Sequence, residues 1–413
     1  MRLLSSRLLR HGGFMRLWMG ETVEWFGGQI TALALPTVAI LFLNAGPFEM
    51  GLLGALNTIA YPILGLFVGV LADRWRRRPM MVWANIGQVI ALGSIPLGFM
   101  FRVLSLNQLF AVALVMSVTT VFFVIAYQSY LPTLVDRKDL VEGNAKLETS
   151  SSASLVFGPA LGGLLIQIVG AAQSIIFDAL STLVAALAIQ SIKQPEVTTV
   201  AKRAFFKELR AGAEIIFVNP ILRTLTAASA TLNLGRSMFY AVFFLFIYDQ
   251  LKITPGTAGL VLGIGSTGFL IGALSAPRIV KRLGLGVTLA FALLISGIGL
   301  LMVPVTMYGL AAPTLAALWM LSNVGMPLYN INQVSLRQAI TSNKVQGRMN
   351  ATMRTITWST WPVGALAGGI LGVILGIPLT IMIAGLISTI PALFIIVSPV
   401  VKLSKIPTRP MNV

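Results

Sequence analysis

Long apolar runs, each broken by a short cluster of charged residues, proline or glycine, recur along the whole chain of 413 residues. Walking them places segments near 16–43, 49–72, 80–101, 106–131, 148–169 and 173–192, then near 220–248, 257–276, 285–305, 309–333, 352–375 and 378–400. Each is about 20 residues or longer, the length a helix needs to cross a bilayer's hydrocarbon core. The runs are too long and too unalternating for barrel strands, and an open sheet cannot cross lipid, so all twelve spans are expected to be helices. The predicted fold class is all-α integral membrane.

Composition agrees with the pattern, since 56 % of residues are hydrophobic and 10 % charged, against roughly 25 % charged in a soluble domain. Thirty Lys and Arg against 13 Asp and Glu give a net charge of +17, a balance that could signal nucleic acid. The placement of those charges points elsewhere. Arg2 to Arg16, Arg74 to Arg78, Arg137 to Lys146, Lys193 to Arg223, Arg278 to Arg282, Arg337 to Arg354 and Lys402 to Arg409 fall at every second boundary, and only Arg102 and Lys252 fall at the others. Positive residues in short loops stay cytoplasmic, so both termini are expected there, which demands an even number of spans. Arg2, Arg7 and Arg10 then precede an uncleaved first helix. No nucleic-acid partner is expected. Cysteine is absent and His11 is the sole histidine, so disulfides, thiolate chemistry and Cys/His metal sites fall away, and neither cofactor nor metal is expected.

The longest hydrophilic stretch, 193–219, holds Phe205, Phe206, Leu209, Ala213, Ile216 and Phe217 at helical spacing with Lys207, Arg210 and Glu214 between them. It reads as an amphipathic helix on the cytoplasmic face, linking two halves. The halves echo one another. Asn144-Ala145 and Gly158-Pro159-Ala160-Leu161-Gly162-Gly163 recur about 206 positions later as Asn350-Ala351 and Gly364-Ala365-Leu366-Ala367-Gly368-Gly369, and Gly65-x-x-x-Gly69 recurs as Gly268-x-x-x-Gly272. Small residues four apart let helices approach closely in lipid. The domains expected are a bundle over 1–192, a linker over 193–219 and a second bundle over 220–413.

The run Gly69-Val70-Leu71-Ala72-Asp73-Arg74-Trp75-Arg76-Arg77-Arg78 after the second span resembles the cytoplasmic signature of the major facilitator superfamily. Leu131-Pro132-x-Leu134-Val135, Gly158-Pro159-x-x-Gly162-Gly163, Phe177-Asp178-Ala179-Leu180-Ser181 and Glu208-Leu209-Arg210-x-Gly212 are similar to the twelve-helix drug-exporter branch that includes macrolide and enterobactin exporters. The resemblance implies two pseudo-symmetric six-helix bundles, a midplane substrate site between them, and a monomer in a bacterial plasma membrane. It implies a cytoplasmic gate at Gly69, Asp73, Arg74, Arg77 and Arg78; Ala276 stands where the second copy's acid would be. Gly158, Pro159, Gly162 and Gly163 resemble the core of a motif associated with antiporters, with Ser154 replacing a preceding glycine. Physically, Pro159 removes a helical hydrogen bond and the glycines permit bending and close packing.

Charges inside spans are expensive and usually functional. Glu21 and Glu24 lie three apart on one face of the first span, and with Asp178 in the sixth they are the candidates for proton coupling. For Asp178 the structural role is the first expectation, because the resemblance places sixth helices outside the cavity wall. Arg236 lies mid-span with Asn233 and Tyr240 about one turn to either side; a buried guanidinium needs a partner, either Glu24 or an anionic group on a substrate. Gln29, Tyr127, Gln128, Asn233, Arg236, Tyr240, Asn323, Tyr329 and Asn330 are candidate cavity residues, although many could bond between helices instead. The expectation is a secondary active exporter of a medium-sized amphiphile, such as a drug, siderophore or secondary metabolite, driven by proton antiport. A proton-coupled importer and a non-transporting membrane sensor are the alternatives, and an enzyme is not expected.

Overall fold

The computed structural model describes residues 7–136, 139–193 and 205–407, without the side chains of residues 7, 66, 70, 72–74, 205–210 and 343–344. Its helices are α1 (Gly12–Thr37), α2 (Pro47–Leu56), α3 (Ala60–Arg74), α4 (Arg77–Met100), α5 (Leu106–Leu134), α6 (Leu140–Val169) and α7 (Ala171–Gln190), then α8 (Phe205–Val218), α9 (Pro220–Leu245), α10 (Pro255–Leu283), α11 (Leu285–Leu301), α12 (Ala311–Ile340), α13 (Asn343–Leu375) and α14 (Ile377–Ile396). Among the described residues nine helical segments are long and apolar enough to cross a membrane. The other three of the twelve spans are the broken pair α2–α3, the 17-residue α11 and the more polar α12.

The second span is not the single helix over 49–72 that hydropathy predicts. It breaks at Asn57–Ile59, where Thr58 Oγ1 donates to the carbonyls of Gly54 and Ala55 at 3.0 and 3.2 Å. Pro62 then falls in the first turn of α3, where its missing N–H leaves no helical bond unmade. Helix starts are set locally. His11 Nδ1 accepts the Phe14 N–H at 3.1 Å, Asn219 Oδ1 accepts those of Ile221 and Leu222, and Glu49 accepts the Gly46 N–H at 3.0 Å. The sole histidine is therefore a helix cap.

The chain folds into two compact units: Met1–Asn44, Ile63–Lys202 and Thr254–Gly263 form one, and Ala45–Pro62, Arg203–Ile253 and Ile264–Val413 the other. Each unit thus includes the opening of the second span of the opposite sequence half. In the first unit a Cβ added at Gly163 would lie 2.7 Å from the Pro255 carbonyl and 2.9 Å from Gly259 Cα; in the second, one at Gly369 would lie 2.8 Å from the Pro47 carbonyl and 2.9 Å from Gly51 Cα. The sequence repeat is thus also a packing repeat. Other paired features agree: α1 and α9 both run into a wide π-type turn, at Val38–Phe42 and Phe246–Gln250. Asn44 and Lys252 share a φ of 52°, and Gly170 and Gly376, with φ of 91° and 81°, join the fifth and sixth spans of their halves. That left-handed region carries little strain only for glycine.

In the second unit α8 packs against α13, and a Cβ at Gly212 would lie 2.7 Å from the Arg348 carbonyl. The linker helix read over 193–219 is thus a helix packed on its unit from Gly212 onward, whereas the side chains of Phe205, Phe206, Lys207, Leu209 and Arg210 lie outside the described residues. Leu225, Leu289, Leu293, Leu328, Leu336 and Ile395 are all essentially inaccessible and form the core around which α9, α11, α12 and α14 pack.

Candidate functional site

In the first unit α1 and α7 meet along a seam of small residues. A Cβ at Gly20 would lie 3.2 Å from Ala185 Cα, and one at Gly27 would lie 2.7 Å from Asp178 Oδ1. Such close approach needs glycine, and it carries the acids with it. Glu21 is 1 % exposed and Asp178 3 %. Glu24 lies within electrostatic reach of Asp178 and Glu21, and Tyr127 of α5 within reach of Glu21, Glu24 and Glu148. Ser181 Oγ lies 3.3 Å from Asp178 Oδ1 and donates to it. Glu21 Oε1 and Glu24 Oε2 are buried without a hydrogen-bond partner. The buried Lys146 of α6 lies 3.7 Å from Glu142 and over the Trp18 ring at 5.4 Å. The structure therefore sets Glu21, Glu24, Asp178 and Tyr127 within electrostatic reach of one another's neighbours along the α1–α7 seam, with Asp178 held by Ser181.

The α6 motif makes close contacts further along α1 and with α10. Gly158 faces Gln29, whose Cβ would be 2.6 Å from an added Cβ, Gly162 faces the Ile30 backbone at 3.1 Å, and Gly163 faces α10. Ser154, in the place of a glycine, bonds to the Ser151 carbonyl of its own helix at 2.8 Å. Gln29 is thus seated on α6, and Gln128 is exposed on α5.

Gly69 stands in α3 with open space where a Cβ would be, and the side chains of Asp73 and Arg74 lie outside the described residues. Arg77 opens α4. Arg78 donates to the Ile192 carbonyl and Arg16 to the Ser191 carbonyl at 2.7 Å, so both cations satisfy the C-terminal end of α7, where the helix dipole is negative. The sequence pattern shows these arginines as topology charges and does not reveal that contact.

In the second unit Arg236 is 4 % exposed. Its guanidinium lies 3.3 Å from Ser322 Oγ, 3.5 Å from Ser296 Oγ and 3.3 Å from the Tyr240 hydroxyl. Among the described residues it has no carboxylate partner within that unit. Tyr240 stacks in turn on Trp361 at 6.2 Å between ring centroids, and Trp361 lines a polar cavity of about 510 Å³. Asn233, Tyr329 and Asn330 also line it, whereas Arg236, Tyr240 and Asn323 do not. Asn323 donates to the Gly265 carbonyl at 3.4 Å and Asn233 to that of Thr357 at 2.9 Å, and the Tyr329 hydroxyl is 2.8 Å from Ser229 Oγ.

The same cavity is lined by Arg337, Arg354 and Trp358, which are not among the cavity residues expected from the sequence. The signal was there: Arg354, Trp358 and Trp361 recur at helical spacing on α13, one turn after Asn350.

Comparison with known proteins sets this geometry in a family. The sequence profile of the Major Facilitator Superfamily matches residues 17–308 and, in a second match, 225–411. The uncharacterized MFS-type transporter YfiS of Bacillus subtilis is 24 % identical over 390 residues, covering 90 % of both chains. Multidrug efflux pump Tap of Mycolicibacterium fortuitum is 22 % identical over 379 residues, 87 % of this chain and 89 % of its own. Macrolide efflux protein A of Streptococcus pyogenes is 22 % identical over 267 residues, 63 % and 65 % of the two chains. Among solved structures, a bacterial homologue of the iron transporter ferroportin in its inward-facing state superposes with a TM-score of 0.77 at 18 % identity, over 95 % of this chain and 99 % of that one. With its all-helical multi-pass architecture and paired six-span halves, the chain belongs to the Major Facilitator Superfamily, a family of membrane transporters and not of enzymes.

Proposed function

We propose that this transporter exports a medium-sized amphiphilic molecule in exchange for protons, by alternating access, from a bacterial cytoplasm in which both termini lie. The observation that carries the antiport reading is the group Glu21, Glu24 and Asp178, in which Glu21 and Asp178 are buried residues and Glu21 Oε1 and Glu24 Oε2 are buried oxygens without a hydrogen-bond partner. Ionised carboxylates that repel in pairs, Glu21 with Glu24 and Glu24 with Asp178, call in a low-dielectric setting for a bound proton or cation, and a group that must hold an ion inside a span is suited to carrying one. The Arg and Lys asymmetry supports the orientation. Efflux is supported by the relatives named for macrolide and multidrug export. One proton crossing 100 mV releases about 2.3 kcal/mol, enough for a roughly fiftyfold concentration ratio before any pH gradient is counted.

The test is transport in proteoliposomes with an imposed pH gradient and a panel of macrolides, siderophores and dyes. Acid-inside vesicles should accumulate the substrate while protons leave, and the opposite gradient should not drive accumulation. Accumulation indifferent to both gradients, or driven only when the outside is acid, would overturn antiport.

A further inference from the structure

The polar cavity of the second unit carries a chemistry that the acid cluster does not explain. It brings Arg337 of α12 and Arg354 of α13 together with Asn233, Asn330, Gln333 and Asn350, and among the described residues no carboxylate lines it. Gln333 Oε1, Arg337 Nε and Asn350 Oδ1 are buried there without a hydrogen-bond partner, and Gln333 is only 7 % exposed. Buried polar atoms are normally satisfied, so a cluster of orphans around one cavity marks the place of a polar ligand. Arg337 Nη1 reaches only the Met353 thioether, at 3.3 Å, a weak acceptor. Amide side chains present either oxygen or N–H to a ligand by a half-turn, so Gln333 and Asn350 can donate to an anion.

The flanking groups specify more. Arg354 lies over the rings of Tyr61 at 4.9 Å and Trp358 at 5.5 Å, and these two rings are themselves 4.9 Å apart. A stacked guanidinium keeps its N–H donors in plane, in the fork that matches a carboxylate or phosphate. Trp358, Trp361, Met326 and Met353 complete the lining with flat or polarisable apolar surface. About 510 Å³ is within the range of drug-sized ligand sites.

We propose that this cavity binds the head of an amphiphilic organic anion, a carboxylate or phosphate monoester joined to a flat apolar body. That the anion is cargo rests on the transporter reading above; that it binds does not. Arg337 and Arg354, which the sequence shows only as cytoplasmic charge, are the anion's ligands, and the aromatic wall holds its body.

The experiment measures equilibrium binding and thermal protection of the full chain in neutral detergent, without any gradient, using 2-naphthoate, 2-naphthyl phosphate and the uncharged 2-naphthamide. The two anions should bind and protect, and the amide should not. Arg337→Gln and Arg354→Gln should each weaken anion binding roughly ten- to hundredfold, the loss of one charge-assisted contact. Arg337→Lys, which keeps the charge but not the fork, should fall between, and Arg278→Gln, at an exposed position of α10, should match the unmodified chain. Monodispersity and the ligand-free unfolding midpoint check each variant's fold. Equal binding of amide and anions, or anion binding unchanged in folded Arg337 and Arg354 variants, would overturn the proposal. Repeating the measurement in nanodiscs of phosphatidylcholine with and without phosphatidylglycerol separates the sources: competition assigns the site to a lipid phosphate, and indifference assigns it to a soluble anion. Binding that survives when proton-driven transport fails would sink the antiport reading and leave the anion site standing.

Discussion

Adding one methyl group at Gly27 should disturb the acid cluster without touching an acid. A Cβ there would lie 2.7 Å from Asp178 Oδ1 and 2.9 Å from Ser181 Cβ, whereas the same atom at Gly28 would have nothing within 4 Å. Gly27→Ala and Gly28→Ala gain the same helix propensity, so their difference isolates the contact. Inserting a methyl into a filled seam costs about 1–3 kcal/mol, and Asp178 must shift to make room. At the scaling of mid-sized domains the midpoint of Gly27→Ala should fall below that of Gly28→Ala by roughly 2–12 °C. Thermal unfolding in one detergent reads this, and proton flux in proteoliposomes reads the second consequence, a slower coupled step in Gly27→Ala alone. Equal midpoints and equal flux would refute the close α1–α7 seam and with it the placement of Asp178 within electrostatic reach of Glu24.

Three further outcomes are expected. Gly163→Ala and Gly369→Ala should each destabilise by about 1–3 kcal/mol in thermal unfolding, and to a similar degree, because both added methyls meet backbone that cannot rotate away; a large difference between them would break the packing repeat. Arg236→Met should leave the unfolding midpoint unchanged or raise it, since the guanidinium bonds only hydroxyls in its unit; a drop equivalent to about 3–5 kcal/mol would reveal a buried counter-ion. The natural absence of cysteine permits single-site labelling: Ser105→Cys should react with an impermeant maleimide on intact cells and Ser404→Cys only after permeabilisation, and the reverse would invert the topology.

Much of the fold was legible because lipid leaves few options. Apolar runs of fixed length must be helices. The glycines at 158–163 and 364–369 also exposed the repeat, since only glycine allows the contacts that Gly163 and Gly369 make. The break in the second span was not legible from hydropathy, because Asn57 and Thr58 interrupt an apolar run too briefly to lower its average, and proline is no cue in a chain whose other spans carry it unbroken. Glu21, Glu24 and Asp178 could be picked out singly by their cost in lipid, but their meeting depends on a tertiary seam at Gly20 and Gly27. Arg337 and Arg354 were hidden for the opposite reason: at the ends of spans, arginine already has a topological explanation, so a pocket role leaves no surplus signal.

The most direct test of the central claim compares Glu24→Gln with the unmodified transporter in two assays on the same proteoliposomes, using a substrate found in the panel. Proton-driven accumulation should vanish in Glu24→Gln while substrate-for-substrate exchange, which needs no net proton movement, persists at a comparable rate. Accumulation at the unmodified rate would contradict the assignment of coupling to this cluster.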